Sequence, residues 1–421
     1  MPSPCSLTDG PRVTDAASLP TADADHPEVR VIDTREEYLD AVRALDGGTG
    51  PFAVDAERAS GFRYSQRAYL IQVFRRGAGT FLFDPPAIGR FDELQEIMRS
   101  EEWILHAASQ DLACLREVGL DPVTIFDTEL GARIAGLPRV GLATVVEELL
   151  GIHLAKAHSA ADWSTRPLPQ GWLVYAALDV ELLPDLRDRI AELLADAGKE
   201  EIARQEFAAV LEKTTPVRQE PWRRLSGMHS LRSPRQLAIA RSLWIARDEL
   251  AQQLDSAPGR LVPDLALVAV AKAQPASKRE LAALKEFTGR ASRRELDRWW
   301  AAVEAGVADP EPPSMRGTGD GVPAPRVWAE KNPEADRRLK LARAAVTARA
   351  EELAIPVENM LTPETLRRVA WAPPAEITPE TVAAALSALG ARAWQLDELA
   401  GLIADAFVEA RQAPGSAPAA G

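Results

Sequence analysis

Between residues 31 and 213, short apolar runs alternate with amphipathic stretches, and beyond residue 222 only the amphipathic stretches remain. Phe52-Ala-Val-Asp-Ala-Glu57, Tyr69-Leu-Ile-Gln-Val-Phe74 and Thr80-Phe-Leu-Phe83 are brief and rich in β-branched and aromatic side chains. Gly- and Arg-containing turns separate them, which predicts a three-strand meander. Trp103–Ala107 predicts a further, buried strand that leads into a helical pattern of Leu112, Leu115 and Val118, ending at Gly119. Helices are predicted around Glu129–Ala135 and Leu142–Leu150, and a longer one from about Gln170 toward Gly198. Pro184 should kink that helix, because its ring displaces the hydrogen bond to Val180.

From Trp222 to Gly306 Ala, Leu, Arg and Lys recur at helical spacing, interrupted by Ser233-Pro234, Ala257-Pro258-Gly259 and Val262-Pro263. A Pro-, Gly- and Ser-rich stretch over 307–325 reads as a linker, and a second helical block follows over 326–411. The two blocks look like weak repeats of one unit, a long basic helix, a Pro-containing loop and shorter helices. Residues 1–30 and 412–421 lack periodicity and read as a disordered extension and a low-complexity tail.

Length agrees with this division, since 421 residues at roughly 150 per domain make about three domains. No run approaches 18 uninterrupted apolar residues, and the first 30 residues lack the basic start and apolar segment of a signal peptide. Two cysteines, Cys5 and Cys114, exclude a disulfide framework, and five scattered histidines argue against a Cys/His zinc cluster. The expected address is cytoplasmic, with no membrane partner. A formal charge of −13 argues mildly against nucleic acid, but it hides a basic segment: 216–310 holds 16 Lys+Arg against 11 Asp+Glu.

The chemistry lies in the acids. Asp55 and Glu57 sit at i and i+2 on a strand, so both project from one face while Phe52 and Val54 pack into the core. Two carboxylates there repel unless a cation joins them or one is protonated. Taken alone the pair reads as a solvated strand end, and Asp111 as a helix-start acid favoured by the macrodipole. Tyr175 and Asp179 share a helix face at i and i+4, and the segment around Asp179 is almost wholly apolar, a setting in which a carboxylate wants a partner. Four acids from three separated segments are what a site for two hard divalent cations requires.

Three motifs together, Asp55-Ala-Glu57, His106-Ala-Ala-Ser-Gln-Asp111-Leu and Tyr175-Ala-Ala-Leu-Asp179-Val, resemble those of the DEDD 3′–5′ exonuclease superfamily. The Tyr four residues before the last Asp marks the tyrosine branch, where the histidine branch would carry His at the position of Val174. Leu70-Ile-Gln-Val73, Phe83-Asp-Pro85, Phe126-Asp-Thr-Glu129 and Ala161-Asp-Trp-Ser-Thr-Arg-Pro-Leu168 also look like the ribonuclease D family, and the ordered match spans 31–213. The helical blocks resemble HRDC domains, the first with Arg241-Ser-Leu-Trp-Ile-Ala-Arg247-Asp-Glu-Leu, the second divergent.

The resemblance implies an α/β, RNase H-like exonuclease domain, a mixed sheet with flanking helices, at 31–213. Two small all-α HRDC-type domains would follow at 222–306 and 326–411. It implies two divalent ions, Mg²⁺ or Mn²⁺, with Asp55 bridging both, Glu57 and Asp179 completing one and Asp111 serving the other. Tyr175 would orient the attacking water. The implied reaction releases nucleoside 5′-monophosphates from RNA 3′ ends, the substrates being transfer RNA precursors or other structured RNA. A DNA exonuclease and a non-catalytic RNA-binding scaffold are the alternatives. Arg58 follows Glu57 where the family often carries small or apolar residues, and it stands as a candidate phosphate contact with Lys156, His158 and Arg166. His106 and Cys114 read as core packing.

Overall fold

The computed structural model describes residues 29–154, 160–213, 219–317 and 321–412. Six strands form one mixed sheet in the order β1-β4-β3-β2-β5-β6: β1 (Val31–Ile32), β2 (Thr49–Arg58), β3 (Ala68–Arg76), β4 (Gly79–Phe83), β5 (Glu102–Leu105) and β6 (Thr124–Asp127). β2, β3 and β4 make the expected antiparallel meander, while β1 pairs parallel to β4, and β5 and β6 continue parallel from β2. β2 is thus central and covered on both faces. Ala53 is as fully buried as Phe52 and Val54, so the alternation read from the sequence is replaced by a continuous buried run.

Helices α1 (Arg35–Asp46), α2 (Pro85–Ile88), α3 (Asp92–Met98), α4 (Leu112–Glu117), α5 (Thr128–Ala135) and α6 (Leu142–Leu150) surround the sheet. The long helix expected from Gln170 is two helices rather than one kinked rod: α7 (Gln170–Glu181) ends, and α8 (Leu183–Asp196) starts with Pro184 in its first turn. A proline there lacks only a hydrogen bond that the first turn cannot make, so it begins a helix at little cost. α9 (Glu200–Glu212) closes the domain.

The first helical block comprises α10 (Pro234–Leu254), α11 (Pro258–Leu261), α12 (Asp264–Ala273), α13 (Lys278–Ala283), α14 (Arg290–Arg294) and α15 (Leu296–Ala308). It packs its own core around Leu243, Phe287 and Trp299. α15 lies so close on α10 that a Cβ at Gly306 would sit 2.5 Å from the Ile239 Cα. The second block holds α16 (Trp328–Lys331), α17 (Pro333–Glu352), α18 (Val357–Met360), α19 (Pro363–Trp371), α20 (Pro379–Ser387) and α21 (Ala393–Gln412).

The two blocks follow one path. Each long helix, α10 or α17, is followed by a left-handed residue, Asp255 (φ 41°) or Ala354 (φ 47°). A proline, a one-turn helix and a second proline come next, Pro258 and Pro263 in one block, Pro356 and Pro363 in the other. The stretch read as a linker starts inside α15, which runs to Ala308. Residues 1–28 and 413–421, nearly all of the expected extension and tail, lie outside the described residues.

Candidate metal centre

The site is assembled where β2, the loop after β5 and α7 meet. Asp55 and Glu57 stand two apart on β2, with Leu70 of β3 opposite Glu57. α7 packs across β2, β3 and β4 and brings in Tyr175 and Asp179, one helical turn apart. Asp111 arrives by a different device. β5 ends at Leu105, Ala107 takes a left-handed conformation (φ 61°), a 3₁₀ turn covers Ala108–Gln110, and Asp111 opens α4. The Asp127 carboxylate holds this bend: it accepts the Ala107 and Ala108 N–H groups at 3.0 and 2.9 Å while capping α5 through Glu129 and Leu130. Asp127 is thus a positioning residue that the sequence reading missed, although an Asp at the N-cap of the expected Glu129 helix was a readable signal.

Asp55, Glu57 and Asp179 each offer a carboxylate oxygen, and the three lie within 4.8 Å of one another. Asp111, 5% exposed, lines the same cleft of about 270 Å³. Burial, then the charges of Asp55, Asp179 and Asp111, push the Glu57 carboxyl up to about 10. Burial and Asp55 hold Asp111 and Asp179 well above the usual carboxylate range, and burial raises Asp55 too. The bare protein therefore resists carrying four negative charges here. Clustered hard oxygen donors that a cation would relieve of mutual repulsion are the donor set that suits Mg²⁺ or Mn²⁺, and the residues fit a divalent metal. Tyr175 hydrogen-bonds Asp179, and burial followed by that carboxylate raises its phenol above the ordinary value, so it keeps its proton at neutral pH.

Arg58 lines the cleft, its guanidinium 3.8 Å from the Asp111 carboxylate, and so lies among the acids. Lys156 and His158 lie in 155–159, outside the described residues. Arg166, expected as a phosphate contact, is tied to other partners in this structure. Its Nε donates to Asp84 at 2.6 Å, and its other nitrogens donate to the Trp163, Thr165 and Tyr69 carbonyls, so the side chain braces the α7 approach. His106 is likewise not a core strand residue: it follows β5, is half-buried and lines the cleft. Burial lowers its imidazole to about 4, and Nδ1 lies 2.9 Å from the Thr128 hydroxyl. Cys114 is packed as expected, 1% exposed, and burial pushes its thiol up to about 12.

The loop between β2 and β3, which begins beside Glu57, carries the first helical block. Ala257 N–H donates to the Phe62 carbonyl at 3.0 Å, and Asp255 accepts the Ser65 N–H at 2.9 Å and the Tyr69 hydroxyl at 3.3 Å. Tyr64 bonds Asp248, and the Arg260 guanidinium lies 4.5 Å from the Phe62 ring centroid. The second block instead seats on α9, where Glu206 receives Arg392 at 2.6 Å and the Trp394 indole N–H at 2.8 Å.

Residues 29–195 match a family model described as 3′–5′ exonuclease, 236–303 match the HRDC domain, and 321–407 match a 3′ to 5′ exonuclease C-terminal domain. Ribonuclease D of Pseudomonas paraeruginosa is 30% identical over 350 residues, covering 80% of this chain and 87% of the relative. That of Granulibacter bethesdensis is 35% identical over 184 residues, 42% of this chain, and the match spans about half of the relative, 46%. A solved protein from Bifidobacterium adolescentis superposes with TM-score 0.83 at 37% identity, over 90% of this chain and 97% of that one. Escherichia coli RNase D, an exoribonuclease involved in structured RNA processing, gives 0.64 at 27% identity, over 86% and 98%.

Proposed function

Because the chain belongs to the ribonuclease D family, we propose that it is a metal-dependent 3′–5′ exoribonuclease that releases nucleoside 5′-monophosphates from RNA 3′ ends. The observation that carries the reading is the meeting of Asp55, Glu57 and Asp179 from two elements in one cleft with Asp111 from a third. These four acids would hold two divalent ions, Mg²⁺ or Mn²⁺. Bound divalent cations would supply the acidity of the attacking water and the charge that the leaving oxygen needs.

The remaining work falls to the chain. Tyr175 keeps its proton, so it acts as a hydrogen-bond donor and acceptor that aims the water and not as the base that takes its proton. Its bond to Asp179 fixes the phenol relative to the acids. Arg58 is the substrate contact within the cleft, where a guanidinium already among the acids can turn to a phosphate. Lys156 and His158 are candidates for the same role. The first helical block, with 15 Lys+Arg against 9 Asp+Glu over 222–306, supplies phosphate contacts near the rim. Its chain path and that of 326–411 agree, which supports reading the second block as a divergent HRDC-like copy.

The substrates are transfer RNA precursors or other structured RNA, matured in the cytoplasm where such 3′ ends are made. Among the described residues, no helix is long and apolar enough to cross a membrane. The test is digestion of a 5′-labelled precursor transfer RNA beside a DNA strand of matched sequence, with Mg²⁺ or Mn²⁺. Stepwise shortening of the RNA supports the reading. Shortening confined to DNA assigns the site to DNA ends, and binding without shortening of either makes the protein a scaffold.

A further inference from the structure

Gln72 is wholly buried on β3, and neither its amide nitrogen nor its amide oxygen has a hydrogen-bond partner. Buried carboxamides are rarely left so, because both ends give up water without replacement. In the sheet register Gln72 lies directly opposite Asp55 on one side and Leu82 on the other. Opposed residues of an antiparallel pair point to the same face, about 5 Å apart at Cβ, within reach of a glutamine side chain. That face lies under α7, where Leu70 and Leu82 pack with Leu173 and Ala176 in a cluster that also holds Tyr69 and Trp163. Of the two residues that oppose Gln72, only Asp55 offers polar atoms. If volume alone mattered here, a methionine would fill the place without stranding an amide.

We propose that Gln72 is a positioning residue for Asp55: in the metal-loaded site its Nε2–H donates to the Asp55 carboxylate, a bond that the bare fold lacks, and so orients that acid toward the divalent cations. Asp55 is one of three acids whose carboxylate oxygens lie within 4.8 Å of one another, and the amide opposite it would set its orientation as outer-sphere groups do in metal sites. The proposal rests on the metal-site reading above, and it adds a residue that touches neither metal nor RNA. The amide is retained at a cost in the bare fold because the loaded site uses it.

The test is a titration of the full chain with Mn²⁺, following free Mn²⁺ by electron paramagnetic resonance, for wild type, Gln72→Met, Gln72→Leu and Asp55→Asn. Thermal melting in chelator and steady-state cleavage of a short RNA accompany it. Both Gln72 variants are expected to melt in chelator no lower than wild type, with Mn²⁺ dissociation constants raised about tenfold or more. Their kcat should fall while KM for RNA holds. Unchanged Mn²⁺ affinity and kcat in Gln72→Met overturn this proposal and leave the metal-site reading standing. Gln72 variants that melt well below wild type, or cannot be purified folded, assign the amide to the core and also overturn it. Wild type that binds Mn²⁺ no better than Asp55→Asn overturns the metal-site reading and the proposal together.

Discussion

The two helical blocks share a chain path and differ in everything that attaches them. The first keeps a separate hydrophobic core and meets the nuclease through hydrogen bonds and a stacked arginine on the β2–β3 loop, a few residues from Glu57. The second packs a core that runs on into that of the nuclease: Trp328, Leu339, Trp394 and Phe407 belong to the same buried cluster as the sheet. Charge divides them too. The first carries a clear excess of basic residues, whereas 326–411 holds 11 Lys+Arg against 13 Asp+Glu. The first block is thus a basic module joined to the β2–β3 loop, and the second a buttress seated on α9. Docking through a few polar contacts permits movement, and a shared core does not.

The largest expected effect separates the two cores. Trp394→Ala should cost about 3–5 kcal/mol and lower the melting of the nuclease domain itself, since that indole is buried on α9. Trp299→Ala, at a fully buried place in the first block, should cost as much but give an early, separate calorimetric transition. A single shared transition in both variants would erase the distinction between module and buttress.

Next comes charge. Replacing the exposed Arg290, Arg293 and Arg294 with Gln should weaken RNA binding about tenfold at moderate salt and flatten its salt dependence. The same change at the exposed Lys331, Lys340 and Arg343 should leave both nearly untouched. Filter binding across a salt series reads the difference.

A smaller effect is expected at the joint. Asp255→Ala removes the acceptor for Ser65 N–H and the Tyr69 hydroxyl, a loss of about 1–2 kcal/mol in docking. Cleavage of structured RNA should fall a few-fold while a short oligonucleotide is cut as before, a split that steady-state kinetics would reveal. The smallest effect is in acid. The Ser65 N–H, with Arg67 nearby, holds Asp255 below its ordinary value of 3.8, so its contribution is present above that pH and is lost as the pH falls through the lower, folded value. Amide protection in 59–67 should therefore drop below about pH 4, and not in Asp255→Asn.

Much of this was legible in the chain. The meander and the helices flanking it carry local patterns, a period of two or of four, that survive in one dimension, whereas the four acids with Tyr175 stood out as a set through their resemblance to the exonuclease motifs. What was not legible depends on distance. β6 is four residues long, and α9 shows its purpose only once Glu206 meets Arg392, 186 positions away. Arg166 looked free because its partner Asp84 lies 82 residues upstream. His106 was misplaced because the strand ends one residue before it, at a bend that Asp127 holds from another segment. Pro184 was read as a kink where it starts a helix, the same residue chemistry used at a different position. Gln72 appeared within a strand run, and nothing along the sequence distinguished its amide from any other until the register set it opposite Asp55.

The most direct measurement is a 3′-end degradation time course on 5′-labelled RNA, wild type beside Asp55→Asn, each with Mg²⁺ and with chelator, alongside RNA binding by both proteins. Wild type should produce a ladder only with metal, and Asp55→Asn should bind RNA but leave its 3′ end intact in every lane. A ladder in Asp55→Asn, or one that persists in chelator, would contradict the metal centre at the heart of this account.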